Sequence, residues 1–295
     1  MARGRDWFLG LLLLAAAGIF IFFIASIFFG RTDNDDGFEL STGRRVGLIE
    51  VKGVILDSET TVKNLERYGS SQDIAAIILR IDSPGGGVAA SQEIYEAVKR
   101  VREGGKFVIA SMASVAASGG YYIACGADTI MANPGTTTGS IGVIAEMLNA
   151  TELMQKIGVR FEVIKSGKFK DTGSPFRPMN EEDRLQLQSY VDNAYQQFVN
   201  VVATERDLTT EQVLKYADGR IYTGQQAHEI RLIDLLGTYE DAVDLAGKMG
   251  GITGKARVIK PPVRKTTMWD LLFGDIEQHL IRLQTLPVLR YQMIF

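Results

Sequence analysis

Apolar positions along the chain fall into two regimes. The first is one unbroken run, WFLGLLLLAAAGIFIFFIASIFFG from Trp7 to Gly30, with no charge and a single hydroxyl, Ser26. As a helix rising about 1.5 Å per residue it reaches about 36 Å, enough to cross a hydrocarbon core of about 30 Å. A cleaved secretory signal has an apolar core of only roughly 7 to 15 residues before a small-x-small site, so the run predicts a transmembrane anchor. Arg3 and Arg5 precede it and RTDNDD, Arg31 to Asp36, follows it. The positive-inside rule then holds residues 1–6 in the cytoplasm and carries everything beyond residue 30 across the membrane.

The second regime starts after a polar, acidic tether at residues 31–45. Val46 to Leu56, Ile74 to Asp82, Phe107 to Ala113 and Val159 to Ser166 are β-branched, nearly continuous apolar runs, the pattern of strands buried on both faces of a parallel sheet. Between them, Ala90 to Arg102 carries Ile94, Ala97, Val98 and Val101 at helical spacing. Asn180 is placed to cap a long helix with Asp183 at its third position, and Leu187, Tyr190, Val191, Ala194, Phe198, Val201 and Val202 form one stripe along it. The alternation predicts an α/β domain with mostly parallel pairing over residues 46–250. In the extension at residues 251–295, Trp269, Leu272, Phe273, Ile276, Leu280 and Leu283 recur at roughly helical spacing. They suit an amphipathic helix on the domain, on a neighbouring subunit or on the membrane, and equally plain core packing.

Composition narrows the chemistry. Of 295 residues 46% are hydrophobic and 23% charged, which supports a full core and excludes a mainly disordered chain. Thirty-two Lys and Arg against 35 Asp and Glu leave a net charge of −3, so no broad basic surface is available and nucleic acid is not expected as a partner. One cysteine, Cys125, excludes an intramolecular disulfide and any cysteine-built metal centre. Only His228 and His279 could supply an imidazole. No ligand cluster is recognisable, so neither a metal nor a cofactor is expected.

Three glycine-rich turns follow the apolar strands. RIDSPGGGV, Arg80 to Val88, carries neither GxxxxGK[ST] nor GxGxxG, which leaves a phosphate loop weakly supported against a structural turn. SVAASGGYY, Ser114 to Tyr122, sets Ser118 between a strand and Gly119-Gly120 at a helix start. That position suits an acyl-transfer nucleophile surrounded by N–H groups, and it equally suits a helix cap. GTTTGSIGV, Gly135 to Val143, puts Ser140 between two glycines, where a hydroxyl can also serve the turn itself. Both histidines are poorly placed as a base: His228 lies in a charged helical segment and His279 in the C-terminal stripe. Lys165, Lys168 and Lys170 in VIKSGKFKDTGSP are the remaining candidates. A lysine acts as a general base only when burial brings its pKa from about 10.4 toward 7, and spacing does not choose among the three.

Taken together, DSPGGG, ASGGYY, TTTGSIGV, IKSGKFKDTGSPFRPM and DGRIYTGQQAHEIRLIDLLG resemble, in order and spacing, the single-domain bacterial signal peptide peptidase A family of serine–lysine membrane proteases. The resemblance covers Val46 to Ala246 and the anchor. It implies a Clp protease/crotonase-like fold of repeated β-β-α units. It also implies Ser118 as nucleophile, Lys170 as general base and Ser140 as the hydroxyl that positions the base. The N–H of Gly119, with one from Gly85 or Gly86, would form the oxyanion hole. A ring-shaped homo-oligomer in the bacterial cytoplasmic membrane would then act outside the cytoplasm on signal peptides left after secretion, with no cofactor. Two other classes stay in view. A crotonase-like acyl-CoA enzyme shares the fold but would not meet coenzyme A outside the cytoplasm, and an inactive membrane scaffold would not need both catalytic positions filled.

Overall fold

Three of the four β-branched runs become strands of the central sheet, most of their residues buried. In the computed structural model residues 44–262 are described, with residues 18–19 and 290–292. The chain divides into two units, residues 1–42 and 43–295. The anchor at 7–30 apart from residues 18–19, most of the tether and the stripe from Trp269 to Leu283 lie outside the described residues. Among the described residues no helix is long and apolar enough to cross a membrane.

Strand β1 (Arg45–Lys52) leads through helix α1 (Glu59–Ser70) to β2 (Ile74–Ser83), and a short β3 (Gly85–Gly87) runs straight into α2 (Val88–Glu103). Then come β4 (Phe107–Ala117), α3 (Gly119–Ala124), β5 (Thr129–Ala132) and β6 (Thr137–Gly139). The short α4 (Thr151–Lys156) precedes the long α5 (Glu181–Glu205). Then follow α6 (Thr210–Leu214), β7 (Ile221–Thr223), α7 (Gly224–Glu229), β8 (Leu235–Leu236), α8 (Tyr239–Met249), β9 (Val258–Ile259) and β10 (Arg290–Gln292).

The main sheet runs β7-β6-β4-β2-β1-β9, with β5 also on β4 and β8 on β5; every pairing is parallel except β6 with β7. Successive side chains of a strand point to opposite faces, and the core divides accordingly. Ile49, Val51, Ile77, Leu79 and Ile81 join α1, α2 and α3 on one side. Leu48, Ala76, Ile78 and Ile109 meet Ala242 and Ala246 of α8 on the other. β4 is long enough to have two neighbours on the same edge: Ile109–Met112 pair with β5, and Val115–Ala117 with β6. This split carries the chain past the Phe107–Ala113 run and delivers Ser118 at the strand's end.

The capping box foreseen at Asn180 and Asp183 is present, each side chain accepting from the other's backbone N–H. The stripe behind it is only partly used. Ala194, Phe198, Val199 and Val202 are buried, whereas Tyr190 is exposed. Phe198 meets Tyr122 edge-on at 5.0 Å between ring centroids.

One expected strand does not form. Val159 to Ser166 makes no ladder, and Val159, Phe161, Val163 and Ile164 are exposed, Ile164 at 103% of its reference area. The β-branched alternation is real, but among the described residues no strand pairs with it, and without a ladder partner an apolar strand cannot bury its polar backbone.

Outside the main sheet, β10 lies antiparallel on β3, with Arg290, Tyr291 and Gln292 opposite Gly87, Gly86 and Gly85. On its other side β3 meets Ile55: Ile55 donates its N–H to Gly85 O and accepts from Gly87 N, at 2.9 and 2.8 Å. A Cβ at Gly86 would lie 2.1 Å from Ile55 O, so only glycine admits this approach.

Phe198→Ala removes a fully buried ring from the junction of α5 and α3. It is expected to destabilise the domain by about 3–5 kcal/mol, read as a lowered urea midpoint at unchanged slope.

Candidate active site

Ser118 is the first residue after β4 and the N-cap of α3, at φ 53 and ψ −115. Positive φ is unusual for a residue with a Cβ, and strain of this kind costs on the order of 1–3 kcal/mol and persists only where the surroundings fix it. Here they do. The Ser118 N–H donates to Gly139 O at 2.8 Å, and Ser118 O accepts from Tyr122 N at 2.8 Å. The side chain is held without being used: Ser118 is 1% exposed and its Oγ has no hydrogen-bond partner. Buried hydroxyls are nearly always paired, so the capping reading fails, as the N-cap geometry also shows.

Ser140 stands beside it by register. Ala117 pairs with Gly139 in the parallel β4–β6 ladder, so residues 118 and 140 leave adjacent strand ends, about 4.8 Å apart at strand spacing. Ser140 also has positive φ, 51°, is 8% exposed, and donates its N–H to Arg220 O at 2.8 Å. The turn carrying that carbonyl is braced by Arg220 on Asp218, and the guanidinium pulls the Asp218 carboxyl down to about 2. Alongside opens a cavity of ≈ 850 Å³ walled by Ile141, Val143, Val191, Tyr195, Ala217 and Ile221.

The glycine turn at the end of β2 lies on the other side of β4, Ser83 pairing with Ala116. Gly85 donates its N–H to Ser83 Oγ at 3.1 Å, which commits that donor. Gly119 opens α3, next to Ser118. Ser83, wholly buried, was not singled out in the sequence; its position in DSPGGG, two residues before a glycine, is the pattern of a serine turn.

Lys170 lies elsewhere. It is exposed, in a turn where its N–H donates to Gly167 O at 3.2 Å. Because Ser118 Oγ bonds to nothing, one chain by itself does not bring Lys170 and Ser118 into hydrogen-bond contact. Around Lys170 the turn is tightly organised. Asp171 Oδ1 accepts from Arg177 at 2.8 Å and from Lys165 at 2.6 Å. Arg177 also forks onto both carboxylate oxygens of Asp183, one at 3.0 Å, while Thr172 Oγ1 donates to Asp183 at 2.7 Å. Arg177, then Lys165, pull the Asp171 carboxyl down to about 2. Arg177 and Thr172 hold Asp183 well below the carboxylate range, and the two carboxylates push the Arg177 guanidinium upward. These partners span a turn and a helix, and only the Asn180–Asp183 box was legible beforehand.

Cys125 is fully buried, and burial pushes its thiol up to about 12. It is a core residue. Among the described residues no group of His, Cys, Asp and Glu could hold a metal ion.

Ser118 is thus a strained, unpaired, buried serine at a strand-to-helix turn, directly before Gly119. Residues 100–252 match the family model described as Peptidase family S49. The chain is 46% identical over 241 residues to a Synechocystis protein named "Putative protease slr0021", covering 79% of this chain and 86% of the relative. It is 37% identical over 245 residues to an Enterococcus faecium protein named "Putative signal peptide peptidase SppA", covering 78% and 71%. With "Serine protease SPPA, chloroplastic" of Arabidopsis thaliana it shares 34% identity over 237 residues, 79% of this chain and 35% of that one. The chain therefore belongs to peptidase family S49, the signal peptide peptidase A family, and is a protease.

Two outcomes follow from this geometry. Ser118→Gly relieves the positive φ and deletes the orphaned hydroxyl, so it is expected to raise stability by about 1–3 kcal/mol, seen as a higher melting temperature. The folded pKa of Asp171 lies below its unfolded value of about 3.9. Its stabilising contribution is therefore full above about pH 4 and lost as pH falls toward 2. Pepsin cleavage between residues 159 and 177 is expected to accelerate across that window.

Proposed function

We propose that this protease is a membrane-anchored serine endopeptidase of Clp protease/crotonase-like fold, with repeated β-β-α units, that degrades signal peptides left in the membrane after secretion. The observation that carries the reading is the Ser118 hydroxyl, buried, unpartnered and held in a strained turn beside Ser140. Residues 7–30 anchor the chain, and the catalytic body lies outside the cytoplasm.

Ser118 is the nucleophile and Lys170 the general base. Lys170 Nζ takes the hydroxyl proton as Oγ attacks the scissile carbonyl, and Ser140 orients the amine. The oxyanion is held by the N–H of Gly119 and one from the Gly85-Gly86 turn. As the C–N bond breaks, the ammonium returns its proton to the leaving amine. Water, deprotonated by the same lysine, then hydrolyses the ester and frees Ser118. The substrate is an extended apolar peptide with small residues near the cut, paired edge-on to a strand. The antiparallel seating of residues 290–292 on β3 supports this mode, since that edge accepts an extended chain.

Within a single chain Lys170 is exposed and Ser118 unpaired, so the dyad closes on assembly into a ring. Support comes from an apolar surface concentrated in one stretch of sequence: Leu148, Leu153, Ile157, Phe161, Val163 and Ile164 are all exposed. That is the composition of a surface awaiting a partner.

Peptide hydrolysis by the full-length protein in detergent tests the reading. Ser118→Ala and Lys170→Ala are each expected to lower kcat/KM by at least about 10³-fold, and Ser140→Ala by less. If the serine and lysine come from different subunits, co-assembling the two inactive variants restores up to about a quarter of the activity, the share of sites with both native residues. Full activity in Lys170→Ala would reject the base assignment.

A further inference from the structure

Of the polar clusters outside the serine turn, the one around Arg177 is the most completely connected. The excursion from residue 150 to 175 is closed at its neck by Ala150 N donating to Pro175 O at 2.7 Å. Its far part carries exposed apolar residues. Three side chains tie it to α5: Thr172 on Asp183, Lys168 on Glu182, and Arg177, which alone bridges Asp171 in the turn to Asp183 in the first turn of α5. The anchor end is buried: the Asp183 side chain is 2% exposed, held by the Asn180 cap and Thr172. Two carboxylates gripped by one planar fork fix direction as well as distance. Lys170 is the residue immediately before one of them.

We propose that Arg177 is a positioning residue for Lys170: by locking Asp171 to Asp183 it sets where the turn presents the amine, and it occupies the carboxylate beside the base so that the amine is left unpaired. The inference rests on the proposed role of Lys170 as the general base. The charged groups that face the clamp are few. From the turn they are Lys165, on Asp171 at 2.6 Å, and Asp171 itself; from α5 they are Asp183, and Glu182, which is taken by Lys168. Removing Arg177 leaves Asp171 with Lys165 alone, free to turn to the next cation along the chain.

Arg177→Gln, Arg177→Lys and Lys170→Ala in the full-length protein, assayed for peptide hydrolysis from pH 5 to 10, decide the matter. Arg177→Gln is expected to lower kcat roughly 10–100-fold with KM within about twofold. The acid limb of kcat/KM should move to higher pH and oligomeric size stay near that of the unmodified protein, while melting temperature falls because the buried Asp183 loses its guanidinium. Arg177→Lys, which keeps the charge but not the fork, should fall in between, and it decides the case alone if the glutamine variant fails to assemble. Unchanged kcat and pH profile in Arg177→Lys and Arg177→Gln, or losses that merely track melting temperature or assembly, overturn the proposal. Activity retained in Lys170→Ala overturns both this inference and the base assignment. Activity lost in Lys170→Ala but native in Arg177→Gln overturns only the positioning role.

Discussion

The ladder between β4 and β6 is the constraint on which the site depends. Three residues of β4, Val115 to Ala117, continue past the point where β5 stops pairing, and β6 takes over that edge. The N–H of Ser118 closes the ladder on Gly139 O. That one bond holds a serine in a conformation it would not choose, and it forces the hydroxyls of residues 118 and 140 out from neighbouring strand ends. The core beneath is rigid because both faces of the sheet are covered, by α1, α2 and α3 on one side and α8 on the other. A strained turn needs such a floor, since strain is retained only where the surroundings cannot relax to relieve it.

The rest of the active region is organised in layers of decreasing rigidity. The serine turn and the glycine turn grow out of the central strands β4 and β2. The turn that receives Ser140 is looser, held by the Arg220 carbonyl and an Asp218–Arg220 pair on the surface. The excursion that carries Lys170 is tied to α5 by ion pairs, and among the described residues no strand pairs with it. Ser118 and Lys170 thus sit on parts of the chain held in different ways: the first by the sheet, the second by side chains.

How much of this was legible in the sequence depended on whether the partner of each residue was local. Runs such as Ile74 to Asp82 announce a doubly buried strand because every position is apolar, and the Asn180–Asp183 box announces itself because its two halves are three residues apart. The serine turn was legible as glycine spacing. Its strain was not, since φ at Ser118 is set by Gly139, which arrives from another strand. Val159 to Ser166 misled for the opposite reason: its pattern reports that the segment is suited to a ladder, not whether its own chain supplies one. Arg177 was invisible because its two carboxylates, Asp171 and Asp183, are brought to either side of it only when the turn folds onto α5.

β3 is a short strand with a backbone on each side: Ile55 on one, residues 290–292 on the other. An edge of this kind seats one extended chain at a time, so residues 290–292 and any incoming strand exclude each other there.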